Sequence, residues 1–126
     1  MQTQHEPPAP WKTRLARMPA QTWPIAYRRV FSADEVRALR DGLWPDDMDD
    51  RWVIWLEGDS LRLWRSWTGT CIYQLDLREM EDGGAEARVA HVLDTDDYRR
   101  SPTEEGEIHR LAGVLSLLLN QERVGS

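Results

Sequence analysis

Arg65, Trp67, Thr68 and Tyr73 are the residues whose types and spacing could do chemistry together. Read as strand, the surrounding segment alternates, so Arg65, Trp67, Cys71 and Tyr73 are expected on one face around a turn at Thr68-Gly69-Thr70. A guanidinium offers a fork of donors to a carboxylate or phosphate, two aromatic rings offer stacking surfaces, and Thr68 and Thr70 add hydroxyls at the rim. His91 joins them if the next strand pairs in the register that its apolar pattern predicts. The chemistry is recognition of a nucleotide or another anionic small molecule, with Arg65, Trp67, Thr68, Tyr73 and His91 as the ligand-binding candidates. In a plainer reading, a carboxylate from the N-terminal arm or the last helix neutralises Arg65, and Trp67 closes the core.

Catalysis and metal binding are poorly supplied. Nucleophilic attack would need Cys71 as a thiolate with His91 as its base, whereas a single cysteine beside a turn is ordinarily buried and inert. No catalytic residue is assigned. The acidic runs Asp46, Asp47, Asp49, Asp50 and Asp94, Asp96, Asp97 lack the alternating oxygens, central glycine and closing glutamate of a calcium loop, and read as arginine-paired or solvated loops. Asp49 and Asp50 are placed to clamp Arg28 and Arg29. His5, His91 and His109 show no zinc spacing, and Gly83-Gly84 lies in a hairpin turn and does not open a helix over a phosphate. No metal and no cofactor is expected. A formal net charge of -6 repels phosphate backbones over most of the surface, so nucleic acid is not the expected partner.

A second surface competes for function. Val53 and Trp55 alternate with the set Trp52, Ile54 and Leu56, and a two-residue turn at Gly58-Asp59 pairs them with Trp64 and Arg62. If that face is open, Trp55, Arg62 and Trp64 form a patch of the composition that protein interfaces favour. The competing expectation is that the N-terminal arm, with Trp11 and Trp23, covers it. The favoured expectation is a non-catalytic binding or accessory domain for a protein partner; the alternative is the anion-binding cluster, in a binding protein or an enzyme.

The elements that must position these residues follow from local signals. Ser32-Ala33-Asp34-Glu35 is a capping box, and Val36, Leu39 and Leu43 predict a helix over 33–43 ended by Gly42 and Pro45. Ser101-Pro102-Thr103-Glu104 opens a last helix whose Ile108, Leu111, Leu115 and Leu118 face a sheet, leaving His109, Gly113, Ser116 and Asn120 opposite. Between the helices the period is two. Trp52 faces Arg65, Ile54 faces Leu63 and Leu56 faces Leu61; one strand on, Leu63 is expected opposite Leu75, Arg65 opposite Tyr73 and Arg62 opposite Asp76. A turn at Asp82-Gly83-Gly84 leads to a last strand with Val89, His91 and Leu93 inward. The expected fold is α+β: a four-stranded antiparallel meander, helices from each end of the chain on one face, and an extended N-terminal arm.

The stretch MDDRWVIWLEGDSLRLWRSWTGTCIY holds four of the seven tryptophans. It resembles the signature of a family of small uncharacterised bacterial proteins, with an acidic Met-Asp-Asp, an aromatic strand pair and Arg-Ser-Trp-Thr-Gly ahead of Cys-Ile-Tyr. The resemblance covers about a fifth of the chain and implies a shared fold without an activity. Where related strands read Tyr and Phe, this chain has Trp55 and Trp64. The expected organisation is a disordered start over 1–8, an extended arm over 9–31 and one domain over 32–126, a size that folds without disulfides or metal. One cysteine and a polar start without an apolar signal core fit a reducing cytoplasm, and no apolar run approaches the length of a membrane span. Oligomeric state is open.

Overall fold

The computed structural model describes residues 15–45 and 51–124, with side chains as far as residue 119 of the last helix. The elements run β1 (Thr22–Phe31), α1 (Ala33–Asp41), β2 (Trp52–Glu57), β3 (Ser60–Arg65), β4 (Cys71–Glu79), β5 (Ala85–Leu93) and α2 (Glu104–Val124). All strand pairs are antiparallel, in the order β1-β5-β4-β3-β2. The fold is α+β, but its sheet has five strands where four were expected. The additional strand is β1, the last ten residues of the segment read as an arm. Trp23, Ile25, Tyr27 and Phe31 turn inward at period two, and Pro24, which lacks a donor, is accommodated because β1 is an edge strand. The expected disordered start, Trp11 and Asp46 to Asp50 lie outside the described residues.

Both helices pack on one face of the sheet. Val36, Ala38 and Leu39 of α1 share a core with Leu111, Leu115, Leu118 and Leu119 of α2 and with Ile54, Leu63, Tyr73, Ala90 and Val92 of the sheet. The capping box is present, with Glu35 N donating to Ser32 Oγ at 3.1 Å and Ser32 N donating to Glu35 Oε1 at 3.0 Å. At the other helix the start moves from Pro102 to Glu104, because Thr103 Oγ1 accepts from Gly106 N at 3.1 Å and so acts as the cap.

Register departs from expectation at two irregularities, and each sends a side chain to the other face. The β2–β3 hairpin pairs as expected, Trp52 with Arg65 and Trp55 with Arg62. The β3–β4 pairing is shifted by two residues, to Leu61 with Leu75, Leu63 with Tyr73 and Arg62 with Gln74, because the turn closes tightly, Gly69 N on Arg65 O at 2.8 Å. An extra residue between Tyr73 and Cys71 in that pairing then puts the thiol on the face opposite the phenol. In β5 Arg88 and Val89 are both exposed, so the inward set is Ala85, Ala87, Ala90 and Val92. Val89 and His91 therefore point away from the helices, against expectation, while Leu93 is buried.

On the face away from the helices, Val53, Trp55, Trp64 and Cys71 form a second core under Leu15, Met18 and Trp44. The indole of Trp64 donates to Ala16 O at 2.7 Å and Ala16 N donates to Gly69 O at 2.9 Å, which fastens this cover to the β3–β4 turn. Trp55 Nε1 donates to Arg40 O at 3.1 Å, across the edge of the sheet. Burial pushes the Cys71 thiol up to about 12 from an ordinary 9.0, the nearby Arg62 charge opposing. The folded thiol thus stays protonated where the unfolded one ionises, so its contribution to stability is full below pH 9 and is lost as pH rises toward 12. Between those values the wild type is expected to lose stability faster than Cys71→Ala, by up to about 1.4 kcal/mol per pH unit in urea unfolding. Parallel pH profiles would mean that the second core is open to water.

Candidate functional site

The site begins with Glu107, in the first turns of α2 and in line with the buried stripe of Leu111 and Leu115. Its side chain has no solvent exposure, and a carboxylate in that position is tolerable only if its oxygens are occupied. They are. Tyr73 OH donates to Oε1 at 2.8 Å, Tyr98 OH lies 2.7 Å from Oε1 and 3.0 Å from Oε2, and Ser101 N donates to Oε2 at 2.8 Å. The two hydroxyl oxygens are 3.0 Å apart. Arg110, one turn further along α2, brings Nη1 to 3.4 Å from Oε2, 3.1 Å from Tyr98 OH and 2.9 Å from Arg99 O. No buried side-chain nitrogen or oxygen among the described residues lacks a partner.

This knot sets the ionisation of its members. Burial pushes the Tyr73 phenol far above its ordinary value, with Tyr98 and Glu107 adding to the shift. Tyr98 is raised chiefly by burial, its hydrogen bonds with Tyr73 and Arg110 opposing and Glu107 assisting. Both hydroxyls remain donors at neutral pH. The hydrogen bond to Tyr98 raises Arg110 further, so it remains a cation.

Above the knot is a cleft of about 310 Å³, with Trp52, Arg65, Tyr73 and Tyr98 on the sheet side and Arg110, Gly113, Val114 and Leu117 along α2. The Arg65 guanidinium lies over two rings, 5.4 Å from the centroid of Trp52 and 5.9 Å from that of Tyr98. Trp52 in turn stacks on Tyr73 at 6.1 Å with 25° between planes. Arg65 is exposed, and no carboxylate of the described residues lies within ion-pair distance of it. Among the described residues, Nε and Nη2 of Arg110 take no partner, since its bonds all run through Nη1. The cleft therefore presents two guanidinium groups beside aromatic and aliphatic walls, with one carboxylate beneath them to balance one charge. Nothing among the described residues groups three metal-ligating side chains.

Of the ligand-binding candidates named from sequence, the structure brings Arg65 and Tyr73 together and leaves the others out. Trp67 is 63% exposed on the turn beyond β3, with the Arg51 guanidinium 5.9 Å from its ring centroid, and does not close the core. Thr68 is also on this turn, its Oγ1 accepting from Thr70 N at 3.2 Å. His91 is on the opposite face, paired across the strands with Gln74 and beside Asp76, Arg78 and Glu86. The partner-surface candidates are not exposed: Trp55 and Trp64 are 5% and 4% accessible. Arg62 is half-buried, its Nε donating to Gln74 Oε1 at 3.0 Å and its Nη1 to Glu57 Oε1 at 3.2 Å. Asp94 of the acidic loop pairs with Arg100 at 3.0 Å, and Arg29 lies 3.6 Å from Glu35.

A larger cleft of about 640 Å³ separates α1 from the β2–β3 and β4–β5 turns. Its rim mixes Arg37 and Arg40 with Asp41, Asp59, Glu79 and Asp82; Arg37 pairs with Asp34, and Arg40 Nη1 donates to Gly58 O at 3.2 Å. With four acids against two arginines, such a rim does not favour an anion.

Sequence reasoning missed Glu107, Tyr98 and Arg110. Glu107 had left a signal, a carboxylate four residues ahead of Leu111 on an otherwise apolar helix stripe. Comparisons with protein-family models, with curated proteins and with solved structures give no match for the chain.

Glu107→Ala would leave two phenols and a backbone amide without their acceptor, and the expected cost in urea unfolding is about 3–5 kcal/mol. Tyr98→Phe, which removes one donor and keeps the ring, is expected to cost only about 1–2 kcal/mol. Equal and small effects from both would mean that the carboxylate is hydrated.

Proposed function

We propose that this protein is a small binding module that takes an anionic small molecule in the cleft between Trp52 and α2. The observation that carries the reading is Arg65, an exposed guanidinium held over two rings with no acid of the described residues beside it, in a cleft that also holds Arg110. The two rings hold the guanidinium without occupying its donors, and its fork of donors suits two parallel hydrogen bonds to a carboxylate or phosphate. Arg110 supplies the second cation, oriented by Tyr98 and Glu107. Val114 and Leu117, the latter 45% exposed, offer an apolar wall for the rest of the ligand. The groups a hydrolytic or transfer reaction would draw on, the Cys71 thiol and the His91 imidazole, lie on the other side of the sheet.

The geometry gives less support to a protein partner gripped through Trp55, Arg62 and Trp64, because both indoles are buried, Trp64 bonded to Ala16 and Trp55 against Trp44 and Arg40, and the guanidinium is engaged.

Tryptophan fluorescence titrated with benzoate and with phenyl phosphate tests the proposal, with benzylamine as the control of opposite charge. Saturable quenching by the two anions and none by the amine is expected. Arg65→Met is expected to weaken binding by about 10- to 100-fold, the loss of one charge-assisted contact, and to change unfolding stability by less than about 1 kcal/mol, since no ion pair with the described residues is broken. Equal affinity in the variant, or no saturable binding of either anion by the wild type, would refute the proposal.

A further inference from the structure

Two glycines interrupt α2, and only one has a packing reason. A Cβ at Gly106 would collide with Ser101 Oγ, so the cap of the helix requires glycine there. A Cβ at Gly113 would meet nothing within 4 Å. Glycine in the middle of a helix is less favourable than alanine, because it loses more backbone freedom on folding. The folded chain therefore gains nothing that the structure shows from the missing methyl group at 113. What the omission does create is space along the α2 wall of the cleft, which exposed Gly113 lines together with Arg110 and Leu117.

We infer that Gly113 is the specificity-determining part of the α2 wall of the cleft, and that the ligand is a thin planar anion, an aromatic ring bearing its carboxylate or phosphate in the plane of the ring. This rests on the binding reading above and names the class of ligand. A ring lying flat on bare helix backbone makes contact at about 3.5–4.0 Å. In that position it lies beside Trp52 and Leu117 while its acidic group reaches the donors of Arg65 and Arg110. A methyl group at 113 would lift the ring by roughly the length of one carbon–carbon bond, about 1.5 Å. Hydrogen bonds to the two guanidinium groups do not survive that displacement, since they weaken steeply away from about 2.7–2.9 Å. A puckered saturated ring is thicker and meets the same obstacle without any mutation.

The test compares benzoate with cyclohexanecarboxylate, which carry the same acid on rings of similar size and different thickness, against wild type and Gly113→Ala. The wild type is expected to bind benzoate at least 10-fold more tightly than cyclohexanecarboxylate. Gly113→Ala is expected to bind benzoate at least 10-fold more weakly than wild type while its melting temperature is unchanged or a few degrees higher, so the loss cannot be ascribed to unfolding. Equal affinities for the two acids in wild type, with benzoate binding undiminished in Gly113→Ala, would overturn the inference and leave Arg65-dependent anion binding standing. Failure of the wild type to bind either acid or phenyl phosphate would remove the binding reading and this inference together.

Discussion

The carboxylate of Glu107 is the constraint on which the rest of the site depends. It is fully buried, so it must collect donors, and the donors come from three separate parts of the chain: Tyr73 on β4, Tyr98 and Ser101 in the loop after β5, and Arg110 on the same helix. Satisfying it joins the start of α2 to the middle of the sheet. That union fixes the distance between helix and sheet, and the cleft is the gap that remains above it. Among the described residues it also leaves an imbalance of charge, because the one carboxylate beneath the cleft answers Arg110 and leaves Arg65 to the faces of Trp52 and Tyr98. A cation on an aromatic face gains about 0.5–1 kcal/mol at an exposed site, which orients it without neutralising it.

The two irregularities in the sheet decide which residues can belong to the site. Without the extra residue before Tyr73, Cys71 and the phenol would share a face, and without the paired exposure of Arg88 and Val89, His91 would point toward the helices. Each irregularity sends one potentially reactive group to the side where no cleft meets Arg65. The thiol goes into a second core under Leu15 and Met18, and the imidazole goes to an open polar face with Asp76, Arg78 and Glu86. The helix-side cleft keeps rings, cations and aliphatic walls, a set suited to holding a ligand.

Much of this architecture is legible in the sequence, and the parts that are not share a physical cause. The capping box at Ser32 and Glu35, the Gly58-Asp59 turn and the pairing of Trp55 with Arg62 are local signals that tertiary packing did not alter. The β3–β4 register slipped by two residues, a shift that keeps side chains on their faces as far as Tyr73 and that alternation therefore cannot detect; only Cys71, beyond the irregularity, changes face. The fifth strand was hidden by Pro24 and by the irregular pairing between Ala26 and Arg29, although Trp23, Ile25 and Tyr27 carry a strand period. At the site, Arg65 and Tyr73 were legible because they are near in sequence, whereas Tyr98, Glu107 and Arg110 meet them only through the long-range docking of α2. The cover over Trp55 and Trp64 is of the same kind, set by a contact between Ala16 and the indole of Trp64 that no spacing announces.

The central claim is that an anion is bound between Trp52 and α2 and nowhere against the second core. The indole N–H resonances of isotope-labelled protein report on this directly, since Trp44, Trp55 and Trp64 donate to Asp41 O, Arg40 O and Ala16 O within the folded structure. On addition of phenyl phosphate, the account predicts a saturable shift of the Trp52 resonance while those of Trp44, Trp55 and Trp64 stay in place. A stationary Trp52 resonance, or saturable movement of Trp55 and Trp64 in its stead, would contradict it.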